Sequence, residues 1–385
     1  ANSLTGAYGI DNSCRFNDDD DAYLTVTGSS TTSSGKTSTL SIWVKRSKLG
    51  AEQYIFHARS ADSQGNFARL EFTGDDTLRL RGYSTTYLET DAEYRDPSAW
   101  YHIVLALDTD TSGDGNSCRL YVNGSEVTSF STDTNPSTDD DLVLGSDRAH
   151  YVGASFYGGG AGSEFDGYIS ELHFIDGQQL TPSSFGESDE DSGIWKPKQY
   201  SGSYGGNGFF LEFKQTGTGT ASVSTIGADT SGNTSHLTST NLAATDQCTD
   251  TPTNNFCTVN GEYRDDGGNV VAADHSEGHT KMLTTNDGWK FGRGTFLLTS
   301  GKWYAEVKAT EAGNGADGNL GIVPSQGGVA LGESDDNAVF EGCRVVLSST
   351  DTNLLKMDTG TGSAIFDDFA SGNTAHLAID LDNNK

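Results

Sequence analysis

Short runs in which every second residue is apolar, each cut off by Gly, Asn, Asp or Ser, recur through residues 1–200. They fall at residues 23–27, 40–45, 54–57, 78–81, 101–107, 119–122 and 168–175. A two-residue period puts successive side chains on opposite faces of an extended chain, so these runs predict strands with one face on a core. The 48 Gly against 6 Pro supply the turns between them. Asn123-Gly124 marks a two-residue hairpin, because a type I′ turn needs φ > 0 at both central positions. Thr181 as a cap and Pro182 at the first helical position predict one short helical turn over residues 181–185. The fold class is therefore all-β, an antiparallel sandwich. Trp43, Trp100, Ile103, Leu105, Leu120, Val122, Ile169 and Phe174 are expected to be largely buried. Alternation faces Trp43 away from Ile42 and Val44, so one of these sets points outward or into a second layer.

Composition divides the chain into three parts. Residues 1–200 form the first sandwich. Residues 201–258 are turn-rich and poor in apolar residues, the composition of a connecting segment. Strand character returns at residues 301–308, 342–347 and 375–381, so residues 259–385 read as a second sandwich. The last residues, Asp382 to Lys385, are a turn sequence with no strand after it, and the second sandwich is expected to be incomplete at its C-terminus.

The chain carries 24 Lys+Arg against 54 Asp+Glu, a net charge of −30. A phosphate backbone needs a basic footprint, so this balance argues against nucleic acid and against an anionic membrane surface. It also predicts a preference for neutral or divalent-bridged glycans over strongly anionic ones. No run of 18 apolar residues is present, so no membrane insertion by a helix is expected. Ala1 to Leu4 show no basic region followed by an apolar stretch, so no secretory signal is expected from these residues. Five scattered Cys make no disulfide framework. Cys248 and Cys257 are near in sequence, and read as free thiols of a protein folded in a reducing compartment. No Cys pair has zinc-site spacing, and no nucleophile-elbow, phosphate-loop or dinucleotide fingerprint occurs.

Several stretches resemble a known class of domain: residues 15–20, 41–46, 100–104, 120–124 and 165–172, the last reading Phe165-Asp166-Gly167-Tyr168-Ile169 and onward. Together they resemble the concanavalin A-like jelly roll of lectins and glucanases, in its laminin-G/pentraxin form. Residues 165–187, 193–198, 205–211 and 249–255 resemble virion proteins of tailed phages. Residues 301–385 are similar to a SPRY-type sandwich, through Gly301-Lys302-Trp303-Tyr304 and the late Ala378-Ile379-Asp380. The resemblance implies a non-enzymatic virion surface protein, a tail fibre, spike or similar appendage, with a lectin-like domain for host adhesion. Its implied partners are host-surface polysaccharide, other virion proteins and further copies of itself.

Four groups of residues bear on chemistry. Glu89, Asp91 and Glu93 share one face of a strand and resemble the E-x-D-x-E motif of the glucanase branch. A retaining glycosidase brings two carboxyl groups to about 5–5.5 Å, so this set is the catalytic alternative, a glycan hydrolase, against an ordinary solvated acidic strand. Asp108, Asp110 and Ser112 match the first half of an EF-hand calcium loop, but Arg119 stands where a bidentate Glu is needed, and a hairpin loop is the plainer reading. The runs Asp18 to Asp21 and Asp139 to Asp141 gather oxygen donors that calcium would relieve of mutual repulsion, or are simply exposed loops. Tyr151, Phe156 and Tyr157 beside the glycine-rich residues 158–162 are candidates for a sugar platform, since a pyranose has apolar C–H faces as well as hydroxyls; the same loops serve as plain turns. A structural decoration protein with no ligand is the remaining alternative.

Overall fold

The computed structural model describes residues 8–29, 35–60, 67–110, 117–157, 160–261, 274–283, 293–308, 310, 317–322, 343–348, 354–357 and 372–382. The chain forms two compact units, residues 1–261 with 273–295 and residues 262–272 with 296–385. In the first unit the strands are β1 (Ser13–Phe16), β2 (Tyr23–Thr27), β3 (Thr37–Arg46), β4 (Gln53–Arg59), β5 (Phe67–Phe72), β6 (Thr77–Gly82), β7 (Thr86–Glu93), β8 (Trp100–Asp108), β9 (Cys118–Val122) and β10 (Ser125–Glu126). They continue as β11 (Phe130–Asp133), β12 (Ala149–Val152), β13 (Ser155–Tyr157), β14 (Gly160–Gly162), β15 (Gly167–Asp176), β16 (Gly186–Ser188), β17 (Trp195–Pro197), β18 (Phe209–Leu211), β19 (Thr238–Thr240) and β20 (Gln247–Cys248). The only helical turns among the described residues are 3₁₀ turns at Asp18–Asp20, Pro182–Ser184 and Ala244–Asp246.

Two antiparallel sheets face each other. Sheet I has the order β10-β9-β8-β3-β15-β1-β20, with β18 also pairing β15. Sheet II has the order β11-β7-β6-β5-β4-β12-β2-β19. One apolar cluster fills the space between them: Ile42, Val44, Ile103, Leu105, Leu120, Ile169 and Phe174 from sheet I meet Leu24, Phe56, Leu70, Phe72, Leu80 and Leu88 from sheet II. Each such side chain, fully buried, contributes about 1.5–3 kcal/mol relative to exposure. The hairpin turn is as expected, with Asn123 at φ 48° and Gly124 at φ 79°. A Cβ on Gly124 would also lie 2.4 Å from the Trp195 ring. Of the expected core residues, Val122 is the exception: it ends β9 beside this turn, near the sheet edge, and is only half-buried against the core.

Trp43 points into a second layer. It stacks on His102 at 4.7 Å and packs with Ile10, Trp100 and Tyr168, on the side of sheet I away from the main core. Val104, Ala106, Tyr121, Ile175 and Phe185 extend the layer, with Leu180, Tyr200 and Tyr204 against them. Residues 201–258, connecting by composition, are more than a connection: β18, β19 and β20 add to both sheets, and Phe209, Leu211, Phe213, Ile226 and Leu237 are buried in the main core. Isolated apolar residues in a polar stretch show no period, which is why composition alone does not find them. Cys14, Cys118, Cys248 and Cys257 are free thiols.

In the second unit Lys302–Lys308 pairs antiparallel with Thr374–Asp380, and Asp317–Ile322, Cys343–Ser348 and Leu354–Met357 make a three-stranded sheet.

Lys45 crosses from sheet I to residues 250–256. Its Nζ donates to Asp250 Oδ2 at 2.8 Å, Asn255 Oδ1 at 2.8 Å and the Phe256 carbonyl at 2.6 Å. Removing one partner of a buried pair leaves an uncompensated charge, costing about 3–5 kcal/mol. Asp250→Ala, which strands the Lys45 ammonium, and Lys45→Met, which strands the Asp250 carboxylate, are therefore each expected to lose about that much stability in urea unfolding. Equal small losses would show that the pair does not hold residues 250–256 in place.

Candidate functional site

The second layer covers the outer side of sheet I, so the outer side of sheet II is the broad sheet face that remains. Alternation sends Ala68, Leu70 and Phe72 inward and Phe67, Arg69 and Glu71 outward on β5; on β6 it sends Leu78 and Leu80 inward and Arg79 and Arg81 outward. Register then lines up one residue from each of five strands: Thr25, Tyr151, His57, Arg69 and Arg81 stand directly opposite one another in succession. An aromatic row runs beside this line. Tyr23 and Tyr151 have ring centroids 6.1 Å apart, Tyr151 stacks on His57 at 5.7 Å, and His57 meets Phe67 edge-on at 5.5 Å. Phe67 meets Tyr83 edge-on at 6.1 Å. Tyr83 is exposed, and Tyr23, Phe67 and Tyr151 are half-exposed. Burial pushes the His57 pKa down to about 3, with Arg69 and Arg59 adding to the shift, so its ring is neutral.

Charged groups border the row. Glu71 is fully buried and pairs with both Arg69 and Arg79. Glu52 reaches Arg79 at 2.7 Å, and the Arg69 guanidinium lies over the Tyr54 ring at 3.7 Å. Glu89, Asp91 and Glu93 do share the outward face of β7, but each has its own partner. Glu89 accepts from Thr77 Oγ1 at 3.2 Å and lies 3.8 Å from Arg79. Asp91 accepts from Ser129 Oγ at 2.5 Å, and Glu93 pairs with Arg95. Of the expected sugar platform, Tyr151 lies in the aromatic row. Phe156 and Tyr157 form β13, paired with Ala161 and Gly160 of β14, and their side chains lie outside the described residues. Tyr23, His57, Phe67, Tyr83, Arg69 and Arg81 were not singled out by sequence. Their alternation is visible there, but not which strands lie side by side.

Asp108 and Asp110 stand at the end of β8. Thr37 Oγ1 lies 3.4 Å from a carboxylate oxygen of each, and Lys36 is 3.6 Å from Asp110. Ser112 lies outside the described residues. Asp139 is 3.1 Å from Lys36. Among the described residues no group of three or more His, Cys, Asp or Glu side chains is placed to hold a metal ion. One arrangement could be mistaken for a nucleophile with its base. Ser41 Oγ lies 2.8 Å from His102 Nε2, both buried. The Trp195 indole N–H, which only donates, points at His102 Nδ1 at 2.9 Å. Nδ1 is therefore the acceptor, Nε2 carries the proton, and His102 donates to Ser41 rather than activating it.

The Asp18–Asp20 turn meets Lys48, which pairs with Asp18, and Asp166 behind it. Burial raises the Asp166 pKa from 3.8 to about 8, and Asp18 raises it further than Lys48 lowers it back. The folded chain thus holds this proton more tightly than the unfolded chain does. The stabilising contribution is complete below about pH 4 and is lost as pH rises toward 8. Asp166→Asn is expected to flatten this part of the pH–stability curve and to be more stable than the wild type at pH 9. Parallel curves for the two proteins would refute the assignment.

Residues 18–184 match the sequence profile of the concanavalin A-like lectin/glucanases superfamily. No curated protein matches the chain significantly. Among solved structures, a candidate carbohydrate-binding protein of Bacteroides ovatus is 16% identical with a TM-score of 0.39, over 60% of this chain and 58% of that one. The chain thus spans little more than half of that protein. The heptameric SAP-like pentraxin of Limulus polyphemus is 18% identical, TM-score 0.33, over 46% of this chain and 80% of that one. The CBM40 of the Ruminococcus gnavus IT-sialidase, bound to α2,3-sialyllactose, is 19% identical, TM-score 0.27, over 35% and 72%. The profile match runs from the turn before β2 to the turn after β15, and so takes in the strands that carry the aromatic row: residues 18–184 are a concanavalin A-like lectin/glucanase domain.

Proposed function

We propose that the protein binds host-surface glycan, without catalysing its cleavage, through the outer face of sheet II. The observation that carries this reading is the aromatic row Tyr23–Tyr151–His57–Phe67–Tyr83 across four neighbouring strands and the turn after β6. Sugars stack their C–H faces on such rings, and polar groups at the border orient the hydroxyls. The partners already held by Glu89, Asp91 and Glu93 favour a binding face over a pair of carboxylates free to attack a glycosidic bond. The resemblance of residues 165–187 to phage virion proteins supports a place on the virion surface, as a tail fibre, spike or similar appendage in several copies beside other virion proteins. The strands of the second unit belong, in this reading, to a SPRY-like sandwich. A shallow face makes few contacts, so single-site binding of about millimolar strength, roughly −4 kcal/mol, is enough. Joining copies raises avidity by about 10²–10⁴.

A glycan array probed with the monomer and with a trimerised form is expected to show binding chiefly by the trimer. Tyr151→Ala should weaken it by about tenfold or more. Absence of binding by both forms would favour a structural decoration protein. Release of reducing sugar that disappears in Glu89→Gln would favour the hydrolase.

A further inference from the structure

Accepting that sheet II is a glycan-binding face, we propose that its glycan carries a carboxylate and that Arg81 receives it. Arg69 and Arg81 stand directly opposite on β5 and β6, with both side chains on the outer face. Like charges at such a pair oppose folding by about 0.2–1 kcal/mol. Arg69 is offset by Glu71. Arg81 is half-exposed and makes no hydrogen bond or ion pair with any described residue. That is unexpected in a chain with 54 Asp+Glu for 24 Lys+Arg, where carboxylates are in excess. Carboxylates on the neighbouring strands are already engaged: Glu71 with Arg69 and Arg79, and Glu89 with Thr77.

The surroundings of Arg81 suit a sugar acid. Two residues along the chain, on the same face, is Tyr83, whose ring meets Phe67. An exposed ring and a half-exposed one therefore share the outer face with Arg81. The planar fork of Arg binds a carboxylate through two parallel hydrogen bonds, so one hexuronate could place its carboxylate on Arg81 and its ring on Tyr83. The −30 of the whole chain does not forbid this. Beyond about 8 Å at physiological salt the remaining acids are largely screened, and with Arg69 offset by Glu71 the near field at this point is that of Arg81.

The test is calorimetric titration of the full chain with gluc-, galact- and mannuronate oligosaccharides, the carboxyl-reduced counterpart of each, and sulfated neutral oligosaccharides. At least one uronate is expected to bind about tenfold more tightly than its reduced form, with a ratio that shrinks as salt rises. In Arg81→Gln the ratio should fall toward one, and Arg81→Lys, which keeps the charge but not the fork, should keep only its salt-dependent part. Because Arg81 stands opposite Arg69 and has no ion pair with any described residue, Arg81→Gln should unfold at the wild-type temperature or above it. Equal binding of acid and reduced sugars, an unchanged ratio in Arg81→Gln, or a marked fall in its melting temperature would each overturn the proposal. So would sulfated sugars binding as well as uronates. Binding of reduced sugars alone would overturn this inference and leave the glycan-binding reading standing; no binding by any sugar would overturn both.

Discussion

Two neighbouring cations at the end of β3 hold the first unit together. Lys45 and Arg46 are adjacent, so their side chains leave opposite faces of sheet I. Lys45 reaches Asp250 in the covering layer. Arg46 reaches Asp76 at 2.9 Å and the Tyr94 carbonyl at 2.8 Å beside sheet II, its guanidinium 4.2 Å from the Phe72 ring centroid. Both are almost wholly buried. Desolvating a charge costs several kcal/mol, recovered only where the geometry satisfies it. Each cation has several oxygen partners, so the cost is offset only when both neighbouring layers are in register. The covering layer and sheet II are thereby tied to one strand.

This arrangement decides where a ligand can go. A two-sheet sandwich has two outer faces. Here residues 178–256 close one of them with Phe185, Trp195, Tyr200 and Tyr204, and His173 stacks on Phe210 at 4.1 Å within that layer. On the closed face His102 is held internally, between Ser41 and Trp195. The open face differs: its aromatic row ends in an exposed tyrosine, and beside a compensated group around Glu71 stands Arg81, which has no ion pair among the described residues.

Net charge does not describe every part of this protein's surface, because charge acts over short distances. A chain of −30 reads as one that repels anions. Yet on the five strands that line up Thr25 to Arg81, the residues brought together are a neutral histidine and two arginines. Sequence separation hides this: Tyr151 reaches β4 only through the pairing of β12 with it.

The alternation of residues such as Leu78 to Arg81 and Tyr101 to Leu107 determined by itself that the chain is strands, and which side chains of each strand share a face. Asn123-Gly124 determined a hairpin, because few other residue pairs accept its backbone angles. These are local properties, set by sterics and by burial of one face. Only the tertiary structure decided that Trp43 faces a second layer, that residues 201–258 complete both sheets, and that Val122 sits at the edge of the core. It alone placed Tyr151 beside His57 and Arg69 opposite Arg81, and gave Glu89, Asp91 and Glu93 separate partners. Strand order and register depend on which apolar faces meet across the whole chain, and no local pattern encodes them.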